Sequence, residues 1–231
     1  MIDNGSSDNS SIICKKFEKD DARFRYFRYY KKGVSNVRNF GLSRVKTPFV
    51  TFVDSDDWVD STHLENLIRG IVHTDVCSVE WTRQDEILGD SDKTTFKIIS
   101  QRDYIRKALG MKEISGFSCN KIFKMSIIEN HNIRFANVFF SEDLLFVLEY
   151  LNYVRTGSLV LGPKTYHYII NDESITNSTK PDTLFAEIDS SKLIKHKIKD
   201  IDNHIPDVKA HMVNVYKNTF IKILTSGKFY N

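Results

Sequence analysis

Pro48-Phe-Val-Thr-Phe-Val-Asp-Ser-Asp-Asp-Trp58 carries the strongest structural signal in the chain. Phe49 to Val53 are almost all β-branched or aromatic, which predicts a buried strand. That strand runs directly into Asp54, Asp56 and Asp57. Carboxylates gathered at a strand end repel one another and resist losing water, so a positive group belongs beside them. A hard divalent cation with oxygen ligands is one candidate. A polar turn that caps the next helix is the other, because Asp is a common turn residue.

Downstream, Thr62-His-Leu-Glu65 reads as a capping box. Leu64, Leu67, Ile68 and Ile71 follow at helical spacing and predict a helix lying on the sheet. Asp75 to Thr82 alternates, with Cys77, Val79 and Trp81 on one face, as a strand does. Residues 83–93 are polar and loop-like, Lys97–Ser100 reads as a return strand, and Ser100-Gln-Arg-Asp103 caps a helix through Leu109. Gly116–Phe123 reads as a segment looping back across the sheet, with Lys121 expected at the surface. Ser141 then caps a helix striped by Leu144, Leu145, Leu148 and Leu151, with Glu142 and Asp143 in its first turn, where the helix dipole favours carboxylates. Ser158–Leu161 and Lys164–Ile170 read as short strands, and beyond Lys180 the pattern is helical.

Upstream, Asp3-Asn-Gly-Ser-Ser-Asp-Asn-Ser10 follows the apolar stub Met1-Ile2. It reads as a strand end, a glycine turn and a helix start, and Ile12, Ile13 and Phe17 give that helix a short apolar face. Phe24–Tyr29 reads as a strand, and Ser35 to about Arg44 as a helix carrying Arg38 and Asn39. Such a guanidinium either faces solvent or grips a phosphate or base with its fork. Strands alternating with helices make this an α/β protein, and a glycine turn at a strand end is where such sheets take nucleotides.

Composition bounds the partners. The 231 residues suffice for one α/β domain with an appendage or for two small domains. With 33 basic against 30 acidic residues, the net charge of +3 gives no argument for nucleic acid; it permits loose contact with an anionic membrane surface without requiring it. Cys14, Cys77 and Cys119 are odd in number and widely spaced, which suggests neither disulfides nor zinc and fits a reducing cytoplasm. The opening residues are not a signal peptide, and no apolar run is long enough to span a bilayer.

Four stretches, in order, resemble the family 2 glycosyltransferases of bacterial polysaccharide clusters. Ile2-Asp-Asn-Gly-Ser-Ser-Asp-Asn-Ser10 is similar to that family's Val-Asp-Asp-Gly-Ser-Thr-Asp loop, and Gly33-Val-Ser-Asn-Val-Arg-Asn-Phe-Gly-Leu42 to its Gly-x-Ser-x-Ala-Arg-Asn-x-Gly helix. Phe52-Val-Asp-Ser-Asp-Asp57 resembles the DXD metal motif, and Ser141-Glu-Asp-Leu-Leu145 the late Glu-Asp motif. Asn120-Lys121, Tyr166-His-Tyr and Ser174-Ile-Thr176 are weaker echoes. The resemblance covers residues 1–176. It implies a GT-A fold, a Rossmann-like mixed sheet flanked by helices, over 1–176, followed by a helical C-terminal extension over 177–231.

By that resemblance, Asp3 and Asn4 contact the nucleobase and ribose, and Arg38 approaches the nucleotide. Asp54 and Asp56 hold the ribose and a divalent Mn2+ or Mg2+ ion on the diphosphate. Asp57 contacts the donor sugar or supports Asp56, and Asp143, with Glu142 as the lesser candidate, is the general base. The family often has Asp where Asn4 stands, although an amide oxygen still accepts from a base N–H. The implied activity is inverting, metal-dependent transfer from a nucleotide sugar, UDP-linked, to a glycan or lipid-linked acceptor, in the cytoplasm, with peripheral contact at the inner membrane face or with a partner subunit allowed. The family usually places a strand and helix before the glycine loop, so on the order of 30 residues are expected ahead of Met1. That departure motivates a second reading, a non-catalytic partner subunit or degenerate fragment. A haloacid-dehalogenase-type phosphatase also ends an apolar strand in Asp-x-Asp, but Trp58 stands where it wants Thr or Val.

Overall fold

The computed structural model describes residues 1–83, 93–110, 113–170 and 181–226. The Ser174–Thr176 echo, the expected boundary at 176/177 and most of the 83–93 stretch lie outside them. In chain order, β1 (Ile2–Asp3), α1 (Ser10–Asp20), β2 (Phe27–Arg28), α2 (Val34–Leu42) and β3 (Phe49–Thr51) lead to the acidic turn. After it come β4 (Trp58–Val59), α3 (His63–Ile71), β5 (Val76–Val79), β6 (Trp81–Arg83), β7 (Thr95–Ser100) and α4 (Gln101–Gly110). Then follow β8 (Lys121–Lys124), α5 (Met125–Asn130), α6 (Glu142–Leu151), β9 (Thr156–Leu161) and β10 (Tyr166–Tyr168). The tail is α7 (Pro181–Lys192), α8 (Ile194–Lys197), a 3-10 turn at Ile201–His204 and α9 (Ile205–Ser226).

The main sheet is mixed and five-stranded, in the order β3-β8-β5-β9-β7, with only the β5–β9 pair parallel. Alternation along its strands sorts side chains to two cores. Val76, Phe123 and Leu159 face the larger cluster, built with α4, α5 and α6, while Cys77, Ile122 and Val160 face a smaller one with Leu67 and Ile71 of α3. Ile194, Ile198 and Val208 of the tail join the larger cluster, so the C-terminal helices share this core. β1 and β2 form a separate parallel pair, and β10 lies between β4 and β6 in a third small sheet.

Several local expectations are corrected. β3 is half-buried rather than buried, because among the described residues it is paired on one side only. The buried face of α3 is His63, Asn66, Leu67, Gly70 and Ile71, leaving Leu64 and Ile68 outward. The register is set by Gly70, where a Cβ would run into Cys77 Sγ and Ser158 Oγ. Neither Thr62 nor Ser141 caps its helix through the side chain, whereas Ser100 Oγ does accept from Asp103 N at 3.2 Å. Ile12, Ile13 and Phe17 of α1 are 66%, 54% and 51% exposed, so that apolar face is uncovered here. Lys121, expected at the surface, is fully buried.

Candidate active site

Gly33 adopts φ 107°, a conformation open to glycine, and starts α2. Ser35, Arg38, Asn39 and Leu42 then fall at i, i+3, i+4 and i+7 on one face. Ser35 Oγ donates to Ala136 O at 2.7 Å. Asn39 donates to Phe135 O and accepts from Phe135 N, both at 2.8 Å, so its amide is fixed on both sides. The helix is thereby held against the segment just ahead of α6, and Arg38 points into the space between.

The Arg38 guanidinium is the centre of the site. It donates to Asp54 Oδ1 at 2.7 Å, Asp143 Oδ1 at 2.8 Å and Glu142 Oε1 at 3.1 Å. An aromatic block sets these distances. Phe52, two residues before Asp54, meets Phe146, three residues after Asp143, edge-on at 6.1 Å. Phe135 stacks on Phe146 at 4.0 Å, and Arg38 lies over the Phe135 ring at 5.3 Å. Burial alone would lower the Arg38 pKa, but Asp143, Asp54 and Glu142 outweigh it and hold the guanidinium charged. Burial raises both Glu142 and Asp143. The charge of Asp143 raises Glu142 further, while Arg38 and Ser118 pull Asp143 back.

The neighbouring segment 115–120 supplies Ser118, whose hydroxyl donates to Asp143 Oδ1. Lys121 locks that segment, its Nζ donating to Ser115 O (2.7 Å), Phe117 O (2.8 Å) and Asn120 Oδ1 (2.7 Å). Complete burial pushes the Lys121 ammonium down to about 7. On the other side, the β4–β10 pairing brings Tyr166 against the acidic turn. Tyr166 donates its hydroxyl to Asp57 Oδ2, and Ile169 N donates to Asp57 Oδ1 at 2.9 Å. Burial still raises Asp57, against both hydrogen bonds. Trp58 stacks on His167 at 3.5 Å, and His167 Nε2 meets Asp60 Oδ1 at 3.0 Å.

Asp54, Asp57 and Cys119 place one donor atom each within 4.8 Å of one another, a grouping that could hold a metal. Its chemistry divides. Cys119 is buried and its thiol is pushed far up, so it is protonated and a poor ligand for a hard cation. Both Asp57 oxygens are already taken. Asp54 keeps Oδ2 beyond its bond to Arg38, and Asp56 is exposed with no hydrogen bond or ion pair among the described residues. These carboxylates fit Mg2+ or Mn2+ by donor type.

The glycine-loop residues are engaged locally. Asp3 Oδ1 accepts from Ser6 N at 2.7 Å and Oδ2 from Tyr26 OH at 2.9 Å; the Ser6 bond above all lowers Asp3 to about 2. Asn4 donates to Tyr29 O (2.9 Å) and Lys31 O (3.0 Å) and accepts from Gly33 N (3.2 Å), tying this loop to the start of α2. The structure thus gathers Arg38, Asp54, Glu142 and Asp143 directly, with Asp57 and Asp56 on the adjoining turn. Sequence reasoning missed Ser118 and the burial of Lys121. Ser118 had no local signal, and Lys121 only its weak Asn-Lys echo.

The protein can be set beside known ones. The family model for glycosyl transferase family 2 matches residues 1–131. EpsH of Bacillus subtilis (strain 168), a proposed glycosyltransferase, is 32% identical over 183 residues, covering 76% of this chain and 53% of EpsH. Glycosyltransferase GlyA of Streptococcus pneumoniae serotype 4 is 29% identical, covering 99% of this chain and 34% of GlyA. The chain therefore spans about half the length of one relative and a third of the other. The crystal structure of S. aureus TarS 1–349 in complex with UDP superposes with a TM-score of 0.68 at 18% identity, covering 98% of this chain and 63% of TarS 1–349, and so shares its fold. With the family match spanning more than half of its residues, this chain belongs to glycosyl transferase family 2.

Proposed function

We propose that the chain transfers a sugar from a nucleotide sugar, UDP-linked, to a hydroxyl of a glycan or lipid-linked acceptor, with inversion at the anomeric carbon. One observation carries the reading. Arg38 joins Asp54, at the donor end of the acidic strand, to Asp143 and Glu142 at the head of α6. A donor-side carboxylate and a buried base thus share one guanidinium.

Asp143 is the base that takes the acceptor proton as the hydroxyl attacks, with Glu142 as the alternative. Their raised pKa values suit a base that works near neutral pH. Ser118 and Arg38 orient Asp143. A divalent Mn2+ or Mg2+ held by Asp54 and Asp56 supplies neutralisation of the charge that grows on the departing diphosphate. Asp57, with both oxygens engaged, supports the turn that carries Asp56. Asp3 and the remaining lone pair of Asn4 serve the ribose and base, and Arg38 retains N–H groups for the nucleotide.

Calorimetric titration with UDP and Mn2+ tests this. Metal-dependent binding that Asp56→Ala abolishes, and donor turnover that Asp143→Asn abolishes, are expected. A folded chain that binds no UDP with either metal overturns it. The second reading, a non-catalytic partner subunit, then takes over. The uncovered apolar face of α1 (Ile12, Ile13 and Phe17) favours that reading.

A further inference from the structure

A cavity of about 570 Å³ lies between the head of α6 and the helix α9, with Glu142 and Asp143 in its wall. That volume is within the roughly 300–1,000 Å³ of small-molecule sites. The wall from α9 is His211, Asn214, Val215 and Asn218, at i, i+3, i+4 and i+7. A helix face turned toward a protein body is ordinarily apolar. Here three of the four residues are polar, and nothing in the mechanism above uses them.

His211 is the informative member. It is 9% exposed, and its Nδ1 lies 2.9 Å from Leu109 O. A carbonyl only accepts, so Nδ1 carries the proton, and the neutral ring presents Nε2 as an acceptor. That Nε2 is buried without a partner. A buried acceptor left empty is unfavourable unless a ligand hydroxyl fills it. Across the cavity stand Phe139, an exposed ring, and Phe117, stacked parallel to Tyr168 at 6.3 Å. Of the carboxylates in the wall, Glu142 and Asp143 are held by Arg38, and Glu187 by Lys222. Lys217 is the lone lysine among the lining residues, far from the cationic cluster that a polyphosphate chain calls for.

We infer that this face of α9 is the acceptor subsite and that it takes the end of a neutral glycan, with a sugar hydroxyl donating to His211 Nε2 and the sugar's C–H face lying on Phe117 and Phe139. The inference rests on the glycosyl-transfer reading above, since it is Asp143 in the same wall that makes the bound hydroxyl an acceptor. The C-terminal helices thereby complete the pocket and choose what enters it.

Saturation-transfer NMR on the full chain tests binding without requiring turnover. The probes are the methyl glycosides of glucose, galactose and N-acetylglucosamine, beside ribitol 5-phosphate and glycerol 3-phosphate. His211→Asn keeps a donor for Leu109 O and removes the Nε2 acceptor; Asn214→Ala alters the exposed rim, where the fold is not at stake. Transfer to a neutral glycoside, weakened roughly five- to tenfold by His211→Asn and less by Asn214→Ala, is expected. Glycoside binding that is absent from the parent chain, or unchanged in His211→Asn, overturns the inference, as does preference for the polyol phosphates. UDP titration of the same samples separates the two readings. If UDP fails to bind while glycosides do, the transferase reading falls and the carbohydrate subsite stands.

Discussion

Arg38 donates to Asp143 Oδ1 at 2.8 Å across 105 residues of sequence, and the same Nη1 reaches Glu142. All three side chains are largely buried. Removing the cation strands two carboxylates, and Asp54 as well. Arg38→Met is therefore expected to lower stability by about 3–5 kcal/mol at pH 7. The deficit should shrink as pH falls, because Glu142 and Asp143 are already raised and take up protons first. Urea midpoints at pH 7 and pH 5 check this, and a pH-independent deficit would contradict it.

The same raised carboxylates govern the expected rate profile. A base must be deprotonated to act, so kcat/KM should fall on the acid side, with a midpoint above the ordinary carboxylate range. Asp143→Asn should reduce kcat roughly 10²–10⁴-fold while UDP still binds. Glu142→Gln should cost less and move the acid limb downward, since the charge that opposes ionisation is gone. A limb at the ordinary carboxylate position in the parent enzyme would exclude this pair as the base.

His63 gives a stability signal of opposite sign to that of Glu142. Burial pushes it down to about 4; its Nδ1 meets Thr165 Oγ1 at 3.0 Å and its Nε2 has no partner. The unfolded chain takes up this proton near pH 6.5, the folded chain only near 4. Its contribution is therefore complete above about pH 6.5 and is lost as pH falls toward 4, by at most about 3 kcal/mol. Glu142, raised in the folded state, loses its contribution as pH rises. Comparing the parent chain with His63→Gln isolates the histidine: the fall in unfolding free energy between pH 7 and pH 4.5 should become smaller in the variant.

Gly70 tests the packing of α3. Alanine would improve helix propensity by about 1 kcal/mol. Its Cβ would meet Cys77 Sγ and Ser158 Oγ on the central strands, which is overpacking worth about 1–3 kcal/mol. Gly70→Ala should therefore be net destabilising in thermal melts, whereas a Gly110→Ala control, with open space around its Cβ, should not be.

Much of the fold was legible because its cues are local. The run from Phe49 to Val53, the glycine turn after Asp3, the capping Ser100 and the leucine stripe of α6 each act within a few residues. The four motifs marked the acidic turn, the Arg-Asn helix and the head of α6 in the right order. Where local rules failed, a distant neighbour had overridden them. Leu64 and Ile68 fit a helical stripe, but Gly70 against Cys77 turned α3 by one position.

Propensity and periodicity are properties of short segments, so the α/β class, the element order and the residue types of the site could all be read along the chain. Packing in three dimensions was needed to bring Arg38 to carboxylates 16, 104 and 105 residues away rather than to solvent. It also buried Lys121 and turned His211, Asn214 and Asn218 of α9 onto the wall that holds Asp143. Those outcomes depend on which surfaces meet when α2, α6 and α9 pack together, and the spacing of residues along one segment carries no record of what lies across the gap.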